Sequence, residues 1–188
     1  MTTTPPPWFD AALAAPVTER FVTVDATPIH YLDWGCSGCP GLVLVHGGAA
    51  HAHWWSFLAP WFATDWHVVA LDLSGHGDSG KRAEYSHEQW AREVLAVAAD
   101  AEFPGPPVVV GHSLGGMVTI QTASTHGDRL AGAVIVDSPV RRPDPESEEG
   151  ASGRSFRSPG VYPTLDDAVG HFRLVPPQPS EHDFIIDH

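Results

Sequence analysis

Between the apolar run at 107–110 and a helix-forming stretch that opens at Leu114 stands Gly111-His112-Ser113-Leu114-Gly115, a G-x-S-x-G pattern. A serine on so tight a strand-to-helix turn is lifted clear of the backbone. Gly111 and Gly115, extended by Gly116, lack the Cβ atoms that would stop the chain from bending sharply and the helix from packing close. The chemistry this arrangement serves is attack of the Ser113 hydroxyl on an acyl carbon. The new helix aims its unpaired N–H groups at the same spot, where negative charge develops on a carbonyl oxygen during acyl transfer, so the Leu114 amide is the first oxyanion donor. The second is assigned to the amide of Gly48 in His46-Gly47-Gly48, which follows the apolar run at 42–45, because glycines there let the backbone approach a substrate.

Positioning these residues takes a repeated strand and helix pattern. The stretch RFVTVDATPIHYLDWG reads as a hairpin with strands near 20–24 and 28–34. LVLV at 42–45 is a short strand buried on both faces, HWWSFLAPWFAT at 53–64 has helical spacing, and HVVALDL at 67–73 returns to strand character. A helix at 86–101 opens on a capping box of Ser86 and Gln89 and puts Trp90, Val94, Val97 and Ala98 on one face. Strand 107–111, the helix after Ser113 and strand 130–137 complete the pattern. The alternation predicts an α/β fold, a mostly parallel sheet flanked by helices, with ligands bound beyond the carboxyl ends of the strands. Four successive strand ends deliver His46 to Gly48, Asp72 with the turn from Gly75 to Ser79, Gly111 to Gly115, and Asp137 to one rim.

The domain reading is an N-terminal extension at 1–19, its opening dozen Pro-rich and loosely held, a core at 20–138, and an excursion out of the sheet at 139–188. That last stretch is charged and rich in Pro, Gly and Ser, with a short helix at 164–174. One core is all that 188 residues call for. A net charge of −13 with only ten Lys and Arg disfavours nucleic acid and anionic membrane surfaces as partners. The N-terminus lacks a basic region followed by an apolar segment, and no long apolar run occurs, so a soluble, cytoplasmic protein is expected. Cys36 and Cys39 have C-x-x-C spacing, but Pro40 and Gly41 oppose the helix a redox motif would want; a turn with reduced thiols is expected. His51-Ala52-His53 is the best metal-ligand fragment among twelve histidines, yet Trp54 and Trp55 follow where a binuclear motif would continue with Asp-His, so no metal is expected.

HGGAAHAHWW at 46–55, DLSGHGDSG at 72–80 and GHSLGG at 111–116, in that order and on those strand ends, resemble the α/β-hydrolase superfamily, in particular its cofactor-free serine hydrolases with a lid. The resemblance covers 20–138 well and the remainder loosely. It implies Ser113 as nucleophile, Gly48 and Leu114 as oxyanion donors, and a lid beginning after the sixth strand. Serine in the elbow leans away from epoxide hydrolases and haloalkane dehalogenases, and toward small-molecule esters, thioesters, lactones or carbon–carbon bonds.

The resemblance also demands a carboxylate and then a histidine after the serine. His126 stands at the far end of the helix that starts beside Ser113, about 20 Å away. His171, His182 and His188 lie in the lid-like tail. Two further strands carrying acid and base have no counterpart, so the expectation is an N-terminal portion of a longer hydrolase that lacks the catalytic histidine. Asp137 has two readings: the triad acid that some members carry after the sixth strand, or, preferred, a carboxylate bonding to loop amides in the D-S-P turn. His46 is expected to be structural, Asp72 and the GHGDS loop to hold turns, and His112 to point to the opposite side of the elbow and pack. The alternative function is a non-catalytic, hydrolase-like ligand-binding domain.

Overall fold

Valine-rich runs bounded by turn residues make the strands of this protein, seen here in a computed structural model that describes residues 4–138, 140, 162–171 and 182–186. A hairpin comes first: β1 (Thr18–Val24) and β2 (Thr27–Trp34) are antiparallel and joined at Asp25 and Ala26, with φ of 47° and 61°. Two left-handed residues in succession match the twist of a two-residue hairpin. Then come β3 (Gly41–Val45), a 3-10 turn (Ala52–Trp55), α2 (Ala59–Phe62), β4 (His67–Leu71), α3 (His87–Asp100), β5 (Val108–His112), α4 (Leu114–His126) and β6 (Gly132–Val136). The sheet has six strands in the order β1-β2-β4-β3-β5-β6, parallel from β4 to β6.

The two faces of the sheet bury alternate residues. Val43, Val45, Val69 and Leu71 pack with Val94, Val97 and Ala98 of α3 and Val118 of α4. Leu42, Leu44, Val68 and Ala70 pack on the other face with Ala52, Trp55 and Ala59. All five residues of β3 are buried. At roughly 1.5–3 kcal/mol for each fully buried Val or Leu side chain, β3 is the anchor from which the His46 loop departs. After β3 the chain leaves toward the Trp55 face, whereas after β5 it enters α4 on the opposite face. Adjacent strands with connections to opposite faces open a crevice at their carboxyl ends.

Four details differ from the sequence expectation. The helix foreseen at 53–64 is broken into the 3-10 turn and α2, and Pro60 explains why: it lacks an N–H and sits in the first turn of α2, where none is needed. Pro7–Leu13, expected to be loosely held, forms α1, with Phe9 buried and its ring 5.5 Å from that of Phe57. Cys36 and Cys39, expected as free thiols, are joined in a disulfide across a turn in which the Cys39 amide donates to Cys36 O at 3.1 Å. Only half of the capping box forms. Ser86 Oγ accepts from the Gln89 amide at 3.1 Å, while the Gln89 side chain donates to Asp25 at 3.3 Å.

Residues Pro7–Pro139 form one unit and the described tail belongs to another. In the tail, α5 (Leu165–His171) falls on the stretch expected to be helical, and α6 (Asp183–Ile186) is a single turn. Most of the charged excursion, 141–161, lies outside the described residues. Among the described residues no helix is long and apolar enough to cross a membrane.

Candidate active site

Ser113 occupies the junction of β5 and α4 with φ 52° and ψ −113°, a conformation that L side chains rarely adopt. Backbone strain of this kind costs about 1–3 kcal/mol and persists only where the surroundings enforce it. Here they do. The Ser113 amide donates to Val136 O at 3.0 Å, while Ser113 O accepts from the Gly116 and Met117 amides at 3.0 and 3.2 Å. Ser138 Oγ also donates to Ser113 O at 2.9 Å. The glycines are needed for contact as well as for the bend: a Cβ on Gly111 would overlap Gly115 O, one on Gly115 would overlap Val45 O, and one on Gly116 would overlap Ser138 Oγ. Ser113 itself is half-buried.

Parallel pairing of Val45 with Gly111 sets the loop after β3 beside the elbow. A Cβ on Gly47 would stand 3.4 Å from Ser113 Cβ and 2.9 Å from His112 Nδ1, so only glycine lets this loop lie so near the serine. Gly48 follows, half-buried, and then Ala49 at φ 60°. Leu114 is the first residue of α4, and its N–H has no acceptor within the helix.

His46 holds the loop from beneath. Fully buried, it donates from Nδ1 to Gly47 O at 2.7 Å and accepts at Nε2 from the Leu73 amide at 3.1 Å. Accepting at Nε2 requires a neutral ring, and burial pushes its pKa down to about 4. The structural role expected for His46 is what these bonds describe.

Asp72 organises the loop after β4. Its carboxylate accepts from the amide of Ala52 at 2.6 Å, from the amide of Asp78 at 3.0 Å and from His30 Nδ1 at 2.8 Å. Burial opposes ionisation of Asp72, but these donors outweigh it and hold the carboxyl below the usual range, while the bond to Asp72 pushes the His30 pKa up. This is the turn-holding role read from the sequence. His30, Asp72 and Asp78 are the one group of three possible metal ligands brought together among the described residues, and Asp72 and His30 already bond to each other. The rings of His51 and His53 lie 5.9 Å apart.

Asp137 stands at the end of β6 with φ 47°, its side chain 87% exposed and its Oδ2 4.0 Å from His112 Nε2. Among the described residues no loop amide bonds to its carboxylate; Ser138 is the residue of this turn that braces the elbow. The brace from Val136 and Ser138 had no signal in the sequence, because it depends on β6 pairing next to β5. Nor does any histidine within Pro7–Pro139 bond to Ser113. His126 ends α4, His171 is exposed and bonds to Asp167 O at 2.7 Å, His182 is exposed, and His188 lies outside the described residues.

The site therefore sets Ser113, on a strained backbone, at a strand-to-helix junction beside a glycine loop and a helix start. A family model described as the alpha/beta hydrolase fold matches residues 40–176, more than half of the chain. Among curated relatives, an esterase of Mycobacterium tuberculosis is 36% identical over 123 residues, 65% of this chain and 39% of the esterase. A lipase of the same organism is 30% identical over 154 residues, 75% of this chain and 58% of the lipase, so this chain spans only part of the length of either relative. A bacterial membrane phospholipase A of known structure superposes with a TM-score of 0.62 at 33% identity, covering 69% of this chain and 43% of the phospholipase. A thioesterase domain from the curacin biosynthetic pathway gives 0.69 at 23% identity over 92% of this chain and 66% of its own, a likeness of fold. A serine on a tight strand-to-helix turn braced from the neighbouring strand, on a sheet of this order and in a sequence that the family model matches, places the molecule: the chain belongs to the α/β-hydrolase fold family.

Proposed function

We propose that this protein is a serine hydrolase that cleaves small-molecule esters, with thioesters, lactones and carbon–carbon bonds as related substrates, through an acyl-enzyme at Ser113. The observation that carries the reading is the left-handed backbone of Ser113 at the strand-to-helix junction, a few ångströms from the loop of Gly47 and Gly48. The hydroxyl of Ser113 gives its proton to a general base and attacks the acyl carbon. The amides of Gly48 and Leu114 hold the oxyanion, the leaving group departs with a proton, and water then releases the acid. Loss of one such donor costs about 100 to 1,000-fold in rate. The base is supplied from outside the described residues, and 139–188 is the beginning of a lid or cap region that follows the core at 20–138. The esterase and lipase relatives support the ester class first.

The test is covalent. Treated with a fluorophosphonate probe, the protein gains the mass of one adduct, located on Ser113 by peptide mapping and absent in Ser113→Ala. The 188-residue chain and any longer form of it are tested side by side. A longer form left unlabelled at Ser113 refutes the reading. A second reading, a ligand-binding domain without turnover, is favoured by the missing partner for Ser113 among the described residues. It predicts saturable binding of an aryl ester with no release of acid, and hydrolysis that is lost in Ser113→Ala would eliminate it.

A further inference from the structure

The imidazole of His112 has a place that neither the hydrolytic steps nor the packing of the core accounts for. It lies against Gly47 so closely that a Cβ there would come within 2.9 Å of Nδ1, and Ser113 Cβ flanks the same point at 3.4 Å. Nδ1 is buried and has no hydrogen-bond partner among the described residues. On its other side the ring presents Nε2 to Asp137 Oδ2 at 4.0 Å. Gly47 is thus held between two imidazoles: His46, which bonds to its carbonyl from beneath, and His112, which abuts its Cα.

A buried polar atom without a partner is costly, and an apolar side chain of similar size would fill the same space without that cost. Leucine would pack, but it could not carry the effect of a carboxylate on β6 to a loop on β3. We infer that His112 is a positioning residue that, backed by Asp137, sets the loop of Gly47 and Gly48 against Ser113. This rests on the reading of Gly48 as an oxyanion donor. Among the described residues, the titratable groups facing the ring and its loop are Asp137, just after β6, and His46, just after β3, the latter with His76 at 4.9 Å between ring centroids and with Asp72 and His51 acting on it electrostatically.

The experiment follows the glycines directly. In protein labelled with 15N-glycine and ring-labelled histidine, the amide shifts of Gly47 and Gly48 and the ring shifts of His112 are recorded between pH 5 and 8. The glycine amides are expected to titrate with the midpoint of His112. In Asp137→Asn, a change at an exposed side chain, the glycine transition is expected to keep following that of His112. His112→Gln is expected to abolish the glycine transition and to slow fluorophosphonate labelling of Ser113 about ten-fold. Glycine amides that stay still while His112 titrates overturn the inference, as does a His112 midpoint that moves in Asp137→Asn without the glycines. An unlabelled Ser113 counts against the hydrolase reading, and the glycine shifts still decide this one.

Discussion

At the scale of single residues, the molecule spends stability on Ser113 and His46 and recovers it in position. Ser113 sits where a Cβ is disfavoured, so Ser113→Ala keeps the strain whereas Ser113→Gly releases it. Against the greater unfolded-state entropy of glycine, Ser113→Gly is expected to exceed Ser113→Ala in stability by about 1 kcal/mol, read as a higher midpoint in urea, with neither variant forming the fluorophosphonate adduct. Equal midpoints would mean that the turn is not strained. Ser113 was legible in the sequence because glycines on both sides of a serine, between a strand and a helix, permit a bend that bulkier neighbours forbid, and His46 because it precedes a glycine pair. The partners of Asp137 were not legible. Which strand lies beside β5 decides what its carboxylate meets, and no local spacing carries that information.

At the scale of elements, β3 and β4 were readable from their valine-rich runs, since strands buried on both faces must be apolar throughout, and β5 from a run of the same kind although its alternate residues are only half-buried. The interruption at Pro60 was underestimated, because helical spacing on both sides of it hid the missing N–H, and the disulfide of Cys36 and Cys39 was missed because a turn satisfies the same spacing with free thiols. What joins the elements is polar and buried, and His46 is the link between the loop after β3 and the end of β4. Its pKa is about 4 in the fold against an ordinary 6.5. Between these values the unfolded chain takes up a proton that the folded chain refuses. Stability is therefore complete above pH 6.5 and falls as pH drops toward 4, by about 3 kcal/mol from this ring. His51, lowered mainly by burial, acts in the same direction. His30, raised by its bond to Asp72, acts in the opposite one, its contribution present at low pH and lost as pH rises through its folded value. His46→Gln isolates this contribution: it is expected to be less stable than the parent at pH 7.5 and to show a shallower decline in urea midpoint down to pH 5. Parallel declines would remove His46 as the cause.

At the scale of the whole molecule, β6 is, among the described residues, a parallel strand at one edge of the sheet with no fully buried residue. It pairs with β5 on one side and ends the sheet on the other. Parallel strands are ordinarily covered on both faces, as β3 is, yet Val134 and Val136 of β6 are 45% and 41% exposed. Separated by two positions, they project from the same face, next to a row of backbone N–H and C=O groups that, among the described residues, has no neighbouring strand. Such an edge is a template for another chain, and natural edges are blunted with lysine or proline, neither of which occurs in Gly132–Val136. The 188-residue chain is therefore expected to self-associate with rising concentration through β6. Val134→Lys with Val136→Lys places two like charges on that face and is expected to shift the chain toward monomer, while the distant Val69 and Leu71 core and the thermal transition change little. Light scattering coupled to size exclusion, run on both proteins across about a hundred-fold range of concentration, distinguishes the outcomes. A parent chain that stays monomeric throughout would show that the edge is silent, and association undiminished by the two lysines would place the contact elsewhere on the surface.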